Sequence, residues 1–330
     1  MEYRTLGRTG MRVSCLCFGT MSFGGDADED TSTAMFHRCR DLGINFFDTA
    51  NAYSAGRSEE ILGKLIAGCR NEIVLTSKVC SPMGEDINAR GLSRRHIMLS
   101  IEDSLRRLNT DHLDLYFVHQ VDPYTPMETT LRALDDLVHQ GKILYPAVSN
   151  WAAWQIARAL GVSALEGLAR FECIQPMYNL VKRQAEVEIL QLAVAEQMGV
   201  ISYSPLGGGL LTGKYGTQLR PEKGRLVANA AYTQRYGMPA YYEIAARLTA
   251  YAQVKGYHPA TLAVAWVMSH PALTAPIIGA RNLEQLEPSL AAAEVRMTPE
   301  WRAEISALSI EPPSPTDRLE GQHSIGFRGG

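Results

Sequence analysis

Between residues 14 and 293 the chain switches repeatedly from a short apolar run to a longer segment whose apolar residues recur every three or four positions. The short runs at 14–18, 44–47, 73–78, 113–119, 143–148, 173–175, 200–204 and 276–279 read as strands. The longer segments near 31–41, 58–68, 93–108, 127–140, 152–160, 183–197, 241–255 with 259–268, and 283–293 read as the helices that follow them. Parallel neighbours require a crossover, so eight βα units without a linker fit a closed (β/α)8 barrel better than two doubly wound domains. The expectation is an α/β TIM barrel forming a single domain over residues 1–330. Ahead of it, Gly7-Arg8-Thr9-Gly10 separates two short runs and predicts an N-terminal β-hairpin that plugs one end. Two stretches stand outside the alternation: a Gly-, Arg- and Tyr-rich loop from residue 207 to about 239, and a tail over 311–330. Long loops of this kind are expected over the C-terminal mouth.

Composition narrows the partners. Hydrophobic residues make up 46% and charged residues 20%, which suits a globular core and excludes a disordered or fibrous chain. The net charge is −3 and the basic residues are dispersed, so neither nucleic acid nor an anionic membrane is the expected partner. Cys15, Cys17, Cys39, Cys69, Cys80 and Cys173 form no C-x-x-C pair, and the segment MEYRTLGRTG lacks the apolar stretch of a signal peptide. A cytoplasmic protein acting on a small molecule is expected, with its oligomeric state left open.

In a barrel the working residues stand where strands end at the C-terminal mouth. The second strand ends at Asp48 with Tyr53 just beyond, the third at Lys78, and the fourth at His119. Each alone has an ordinary reading as a cap, a solvated lysine or a core histidine. Together they place a carboxylate, a phenol, an ammonium and an imidazole on three successive strands. An ammonium beside a phenol is expected to lower its pKa, and a carboxylate to hold that ammonium in place. His119 is then a hydrogen-bond donor to a substrate oxygen. Such a set moves a proton to or from an oxygen whose carbon gains or loses hydride, and no metal is called for.

The remaining strand ends ask for an anion. Tyr203-Ser204-Pro205-Leu206-Gly207-Gly208-Gly209 follows the seventh strand, where backbone N–H groups can approach a phosphate closely. Gly208 to Lys214 reads G-x-x-x-x-G-K, but Tyr215 stands where a P-loop needs Ser or Thr, which argues against an ATPase. After the eighth strand, Gly279-Ala280-Arg281-Asn282 sets a guanidinium beside a helix start. Two anion sites suit a dinucleotide, and without G-x-G-x-x-G its binder is not a Rossmann domain.

Read in order, LGRTGMRVS with FGTMSFGG, GINFFDTANAYSAGRSEEILG, LTSKV, LDLYFVHQVD, AVSNW, IQPMYNL, YSPLGGGLLTGKY and IIGARNLEQLE resemble the aldo-keto reductase family over nearly the whole chain. The likeness is nearest to its bacterial members and the potassium-channel β-subunits. The resemblance implies a catalytic tetrad of Asp48, Tyr53, Lys78 and His119, with NADPH lying across the mouth. By motif position, Gly19, Thr20, Met21 and Asp48 would meet the nicotinamide end of NADPH. Ser149, Asn150 and Gln175 would meet its carboxamide, and Tyr203 its ring face. Ser204, Pro205, Leu206, Gly207 and Lys214 would meet the pyrophosphate; Arg225, Gly279, Arg281, Gln285 and Ser289 would meet the adenosine end and its 2′-phosphate. Pro288-Ser289 stands where the family usually has Glu-Asn, so the adenine contacts differ.

The implied activity is NADPH-dependent reduction of an aldehyde or ketone, with Tyr53 as the proton donor. Substrate-wall candidates, beside Tyr53 and His119, are Phe23, Tyr124, Trp151 and Tyr178. Two rivals remain at this stage: a Schiff-base barrel using Lys78 as nucleophile, and a regulatory subunit that binds NADPH with little turnover.

Overall fold

The structure is a computed structural model that describes residues 1–222 and 224–316, so the expected tail beyond residue 316 lies outside the described residues. The hairpin pairs β1 (Tyr3–Thr5) with β2 (Arg12–Ser14) in antiparallel register. Eight parallel strands follow: β3 (Cys17–Gly19), β4 (Phe46–Asp48), β5 (Val74–Val79), β6 (Leu113–Val118), β7 (Ile143–Ser149), β8 (Cys173–Gln175), β9 (Gly199–Ser202) and β10 (Ala275–Ile278). The ring closes where Ile277 and Ile278 of β10 pair with Cys17 and Phe18 of β3. The sequence places the first barrel strand over 14–18, but the backbone breaks at Cys15-Leu16. Ser14 belongs instead to the hairpin, where its N–H donates to Asn45 Oδ1 and its hydroxyl to the Leu16 carbonyl.

The crossovers are α1 (Glu29–Asp41), α2 (Arg57–Ile66), α3 (Arg94–Leu108), α4 (Met127–His139), α5 (Ala153–Glu166) and α6 (Ile189–Ala195). The long loop after β9 holds α7 (Arg225–Ala228) and α8 (Ala230–Tyr236) before α9 (Pro239–Lys255) and α10 (Pro259–Met268). After β10 come α11 (Leu283–Leu290) and α12 (Pro299–Ser306), the last being a helix the sequence reading did not include. Their starts follow from local chemistry. Asp28, Ser93 and Asn282 accept backbone N–H groups at the first turns of α1, α3 and α11, and proline opens α9 and α10. The segment near 183–197 is not one helix, because a separate 3₁₀ turn over Gln184–Glu186, with Glu186 ion-paired to Arg183, precedes α6.

Side chains alternate across each strand and build two cores. One lies between strands and helices. The other fills the barrel, where Phe46, Leu115, Phe117, Cys173 and Ile201 pack with Leu6 of the hairpin. Gly7, at φ +51°, seals that end so closely that a Cβ would meet the Gly199 nitrogen at 2.4 Å. Function is thereby left to the opposite end. There Gly19 lies beside Asp48, Asp48 beside Thr76, and Ser149 beside Gln175 in register. Among the described residues no helix is long and apolar enough to cross a membrane, and all six cysteines are free thiols.

Candidate active site

A cleft of about 740 Å³ opens at this mouth, within the usual range for ligand sites. Asp48 ends β4 with its carboxylate turned inward. It accepts from Lys78 Nζ at 2.6 Å, Thr76 Oγ1 at 2.7 Å and Gln175 Nε2 at 2.9 Å. Lys78 is fully buried and also donates to the Thr49 carbonyl at 2.7 Å and to the Tyr53 hydroxyl at 3.3 Å. Tyr53 follows β4 in a 3₁₀ turn whose next two residues, Ser54 and Ala55, sit at φ +47° and +52°. That left-handed pair is unfavourable for residues with a Cβ, and Ser54 Oγ is held by the Phe23 carbonyl at 2.9 Å. The turn thus fixes the phenol above the lysine, with the His119 ring 6.1 Å away and edge-on.

Electrostatics set the protonation states. Burial pushes the Tyr53 phenol upward, and this outweighs the downward pull of the Lys78 ammonium. The sequence-based expectation of a lowered phenol pKa is therefore corrected: the Tyr53 phenol is raised and stays protonated at neutral pH. Burial disfavours the Lys78 ammonium, but Asp48 and Tyr53 more than compensate, so its pKa is raised. His119 is held neutral by burial and by the nearby Lys78 charge, with its pKa lowered to about 4. Its Nδ1 has no partner among the described residues.

The other half of the cleft is cationic. Ser204, Gly207, Gly208 and Gly209 all have positive φ after β9, which coils this loop into tight turns closed by the Gly207 N–H on the Ser204 carbonyl and the Gly209 N–H on the Leu206 carbonyl. Lys214, Arg225 and Arg281 line the wall beside it. Burial and the charges of Arg281 and Arg225 together lower the pKa of Lys214. The carboxylate facing this group is Asp26, whose Oδ2 lies 3.6 Å from Arg225 and 3.4 Å from Arg281. Glu284 also lines the cleft, so two exposed carboxylates face the three cations, and the balance left is positive charge that an anionic ligand would satisfy.

Between the two halves lie Gly19, Met21, Ser149, Asn150, Gln175 and Tyr203, all on the cleft wall. Asn150 donates to the His119 carbonyl and to Ser149 Oγ, and accepts from the Tyr203 hydroxyl at 2.7 Å. Pro205, Leu206, Gly279 and Gln285 also line the cleft.

Other expected residues do not. Thr20 is buried, with its hydroxyl at the Asp48 carbonyl and the Ser58 hydroxyl. Gly207 is covered and its neighbours Gly208 and Gly209 line the wall instead. Ser289 is buried while Pro288 reaches the cleft. Phe23 is fully buried 5.8 Å from Phe18, so its ring is core and only its carbonyl serves the site. Tyr124 is 93% exposed and off the wall. Trp151 packs edge-on against Phe171 and borders a separate hollow. Tyr178 is buried against Trp266. An aromatic beside a strand end can turn to core or cleft, and sequence alone carries no sign for that choice. Tyr232 and Arg235, which do line the cleft, were missed because they stand in the loop without periodicity. Their one sequence signal is Asn229, whose side chain caps α8.

The sequence model of the Aldo/keto reductase family matches residues 15–310. The chain belongs to the aldo/keto reductase family. It is 39% identical over 314 residues to a Bacillus subtilis (strain 168) protein named "Uncharacterized oxidoreductase YrpG", covering 91% of this chain and 93% of that one. It is 34% identical over 336 residues to an Oryza sativa subsp. japonica protein named "Probable voltage-gated potassium channel subunit beta", covering 96% and 99%. An Arabidopsis thaliana protein of the same name is 34% identical over 312 residues, covering 89% and 92%. The family places this aldo/keto reductase among oxidoreductases, and its barrel and hairpin are those expected of the sequence.

Proposed function

We propose that the chain is an NADPH-dependent reductase of aldehydes or ketones. The observation that carries this reading is a protonated phenol, Tyr53, opening on the cleft 3.3 Å from a buried ammonium that is itself paired with Asp48. The cationic half supports the coenzyme assignment, because the positive charge left over by Asp26 suits a pyrophosphate and a 2′-phosphate. Lys214 and the backbone after Ser204 would hold the former; Arg281 and Arg225 would hold the latter. Tyr203, on the wall nearer Tyr53, would carry the nicotinamide face. The chemistry the coenzyme supplies when bound is a hydride for the carbonyl carbon.

Tyr53 delivers its proton to the carbonyl oxygen and is left as a phenolate. Lys78 stabilises that phenolate at the moment it forms, which offsets the burial that raises the phenol's pKa beforehand. Asp48, held by Thr76 and Gln175, keeps Lys78 charged and aimed. Neutral His119 donates one ring N–H to the same oxygen, so it orients the carbonyl without competing for the proton. The Schiff-base alternative is disfavoured, since Lys78 is fully buried, raised in pKa and committed to three acceptors.

The regulatory alternative draws on the plant relatives named as channel subunits. Turnover separates the two. NADPH oxidation is measured against sugars, aromatic aldehydes, ketosteroids and quinones, with NADH in parallel. Reduction of at least one class well above background is expected. Tight NADPH binding without turnover of any of them would favour the regulatory reading.

A further inference from the structure

The first turn of α2 carries a carboxylate that lies off the cleft. Acids at a helix start usually complement the dipole from the surface, as the exposed Glu60 does. Glu59 is instead wholly buried. Its Oε1 accepts from Ser77 Oγ at 2.5 Å and its Oε2 from Arg107 Nε at 2.7 Å. A carboxylate is costly to bury unless it is paired and hydrogen-bonded, so these two contacts fix α2 to β5 and to α3. Of the described residues that line the cleft, Glu59, Ser77 and Arg107 are not members, so none of them touches a ligand there.

Each partner of Glu59 adjoins a member of the buried cluster. Ser77 precedes Lys78 on β5, and alternation turns the serine toward the helices while the lysine faces the barrel mouth. Arg107 lies against Gly56 so closely that a Cβ there would meet its Cδ at 2.9 Å. Gly56, at φ +95°, closes the turn that begins at Tyr53 and leads into α2. Glu59 therefore ties the strand that carries the ammonium to the turn that carries the phenol. Ser58 beside it secures the other side: its hydroxyl donates to the Thr20 carbonyl at 2.8 Å and sits 3.1 Å from Thr49 Oγ1. The Thr49 carbonyl in turn accepts from Lys78, and the Thr20 N–H donates to the Asp48 carbonyl. Asp48 is placed beside β5 by the strand ladder. Tyr53 stands beyond β4 in a turn outside any ladder, and its contact to Lys78, at 3.3 Å, is the longest of the lysine's three. That contact has most to lose when α2 shifts against β5.

We propose that Glu59 is a positioning residue for the reduction: through Ser77 and Arg107 it sets the distance between the Lys78 ammonium and the Tyr53 phenol. The proposal rests on the reductase reading above. Ser77→Ala and Glu59→Gln cut the link, whereas Ser77→Thr keeps the hydroxyl. With 4-nitrobenzaldehyde as substrate, kcat falls about tenfold in Ser77→Ala and about 10- to 100-fold in Glu59→Gln, because small displacements of reacting groups are costly. KM and the Kd of NADPH, the latter read by fluorescence quenching, stay within about threefold. Ser77→Thr recovers most of the rate. A second reading needs no turnover: in protein labelled with ¹³Cζ-tyrosine, the Tyr53 signal, assigned by its loss in Tyr53→Phe, moves in Ser77→Ala and returns in Ser77→Thr. A wild-type kcat in Ser77→Ala would overturn the proposal, and so would an unmoved Tyr53 signal. A fall in kcat matched by an equal loss of NADPH affinity would mark a general loosening of the cleft and overturn it too. If Glu59→Gln does not fold, the two serine variants decide alone. If the wild type reduces no carbonyl compound, the reductase reading fails first, and the Tyr53 signal decides separately whether the link sets the phenol's position.

Discussion

At one end of the cleft the charges are matched inside the protein; at the other they are left over. Asp48 and Lys78 are nearly inaccessible to solvent, sit 2.6 Å apart, and have Thr76, Gln175 and Thr49 on their remaining valences. Among the described residues, the one carboxylate within ion-pair distance of Arg225 and Arg281 is Asp26, which is half-exposed. Buried pairs must be fully satisfied because desolvation is severe, whereas exposed cations can wait for a ligand. The first end is therefore fully hydrogen-bonded before any substrate arrives, as the proposed proton transfer requires. The second carries surplus positive charge on an open wall. Changes at the first end should damage chemistry and folding, and changes at the second should alter affinity alone.

The largest effect is expected from Lys78→Met. It strands Asp48 beside Thr76 and Gln175 without a cation and leaves the Tyr53 phenolate unassisted. Breaking a buried pair from one side destabilises by about 3–5 kcal/mol, and kcat should fall by at least ~10²-fold. Urea unfolding and the pH–rate profile measure the two losses. A variant with wild-type stability or an unshifted profile would dissolve the coupling between ammonium and phenol.

Tyr53→Phe should separate chemistry from folding at the same end. The hydroxyl makes one long contact to Lys78 at 3.3 Å, so its removal costs little stability. Its proton is lost altogether, and kcat should fall by at least ~10²-fold with near-normal NADPH binding. Activity within about tenfold of wild type would remove Tyr53 from its role.

At the other end, Arg281→Ala should weaken NADPH by about 10- to 100-fold while leaving NADH nearly untouched, since charged hydrogen bonds contribute roughly 1.5–3 kcal/mol. Both dissociation constants follow from quenching of intrinsic fluorescence. Equal losses for the two coenzymes would mean that Arg281 does not read the 2′-phosphate.

A pH dependence links folding to the matched end. The pKa of His119 is about 4 in the folded chain against an ordinary 6.5. Between those values the unfolded chain binds the extra proton, so stability rises with pH across that window and is lost as pH falls through it. His270 carries the same shift, also to about 4. His119→Asn should reduce the slope of melting temperature against pH between 4 and 6.5 without abolishing it. A wild-type slope in the variant would show that His119 is not held neutral.

The two ends also differ in how far the sequence exposes them. Asp48, Lys78 and His119 stand within one residue of strand ends, and alternation within a short run suffices to place them at the mouth. Thr76 and Gln175 reach the same carboxylate only because barrel closure sets β5 beside β4 and brings β8 across from them, a register that no local pattern encodes. The sign of the Tyr53 shift was misread for a related reason. Burial and Lys78 pull in opposite directions, and the winner depends on packing around the ring. At the cationic end Lys214 and Arg281 were legible from their motifs, yet Asp26 and Arg235 lie in loops whose course depends on tertiary contacts such as Tyr236 against Asn179.

The smallest effect concerns Asp26, and it bears most directly on the contrast. Its carboxylate lies 3.4–3.6 Å from two arginines, distances too long for good hydrogen bonds, and its side chain is 51% exposed. Pairs of this kind are weak, so Asp26→Asn should leave folding unchanged. A phosphate entering the groove must nevertheless displace or share that carboxylate. Removing the competing charge should therefore tighten NADPH, by no more than about fivefold at low salt, and the gain should fade as ionic strength shortens the screening length. NADH should gain less, because it lacks the 2′-phosphate proposed to meet the freed arginines. The four dissociation constants at low and high salt decide the matter. If Asp26→Asn instead weakens NADPH, then the carboxylate holds Arg225 and Arg281 in the posture the phosphate needs, and this end of the cleft is pre-organised in the same sense as the catalytic one.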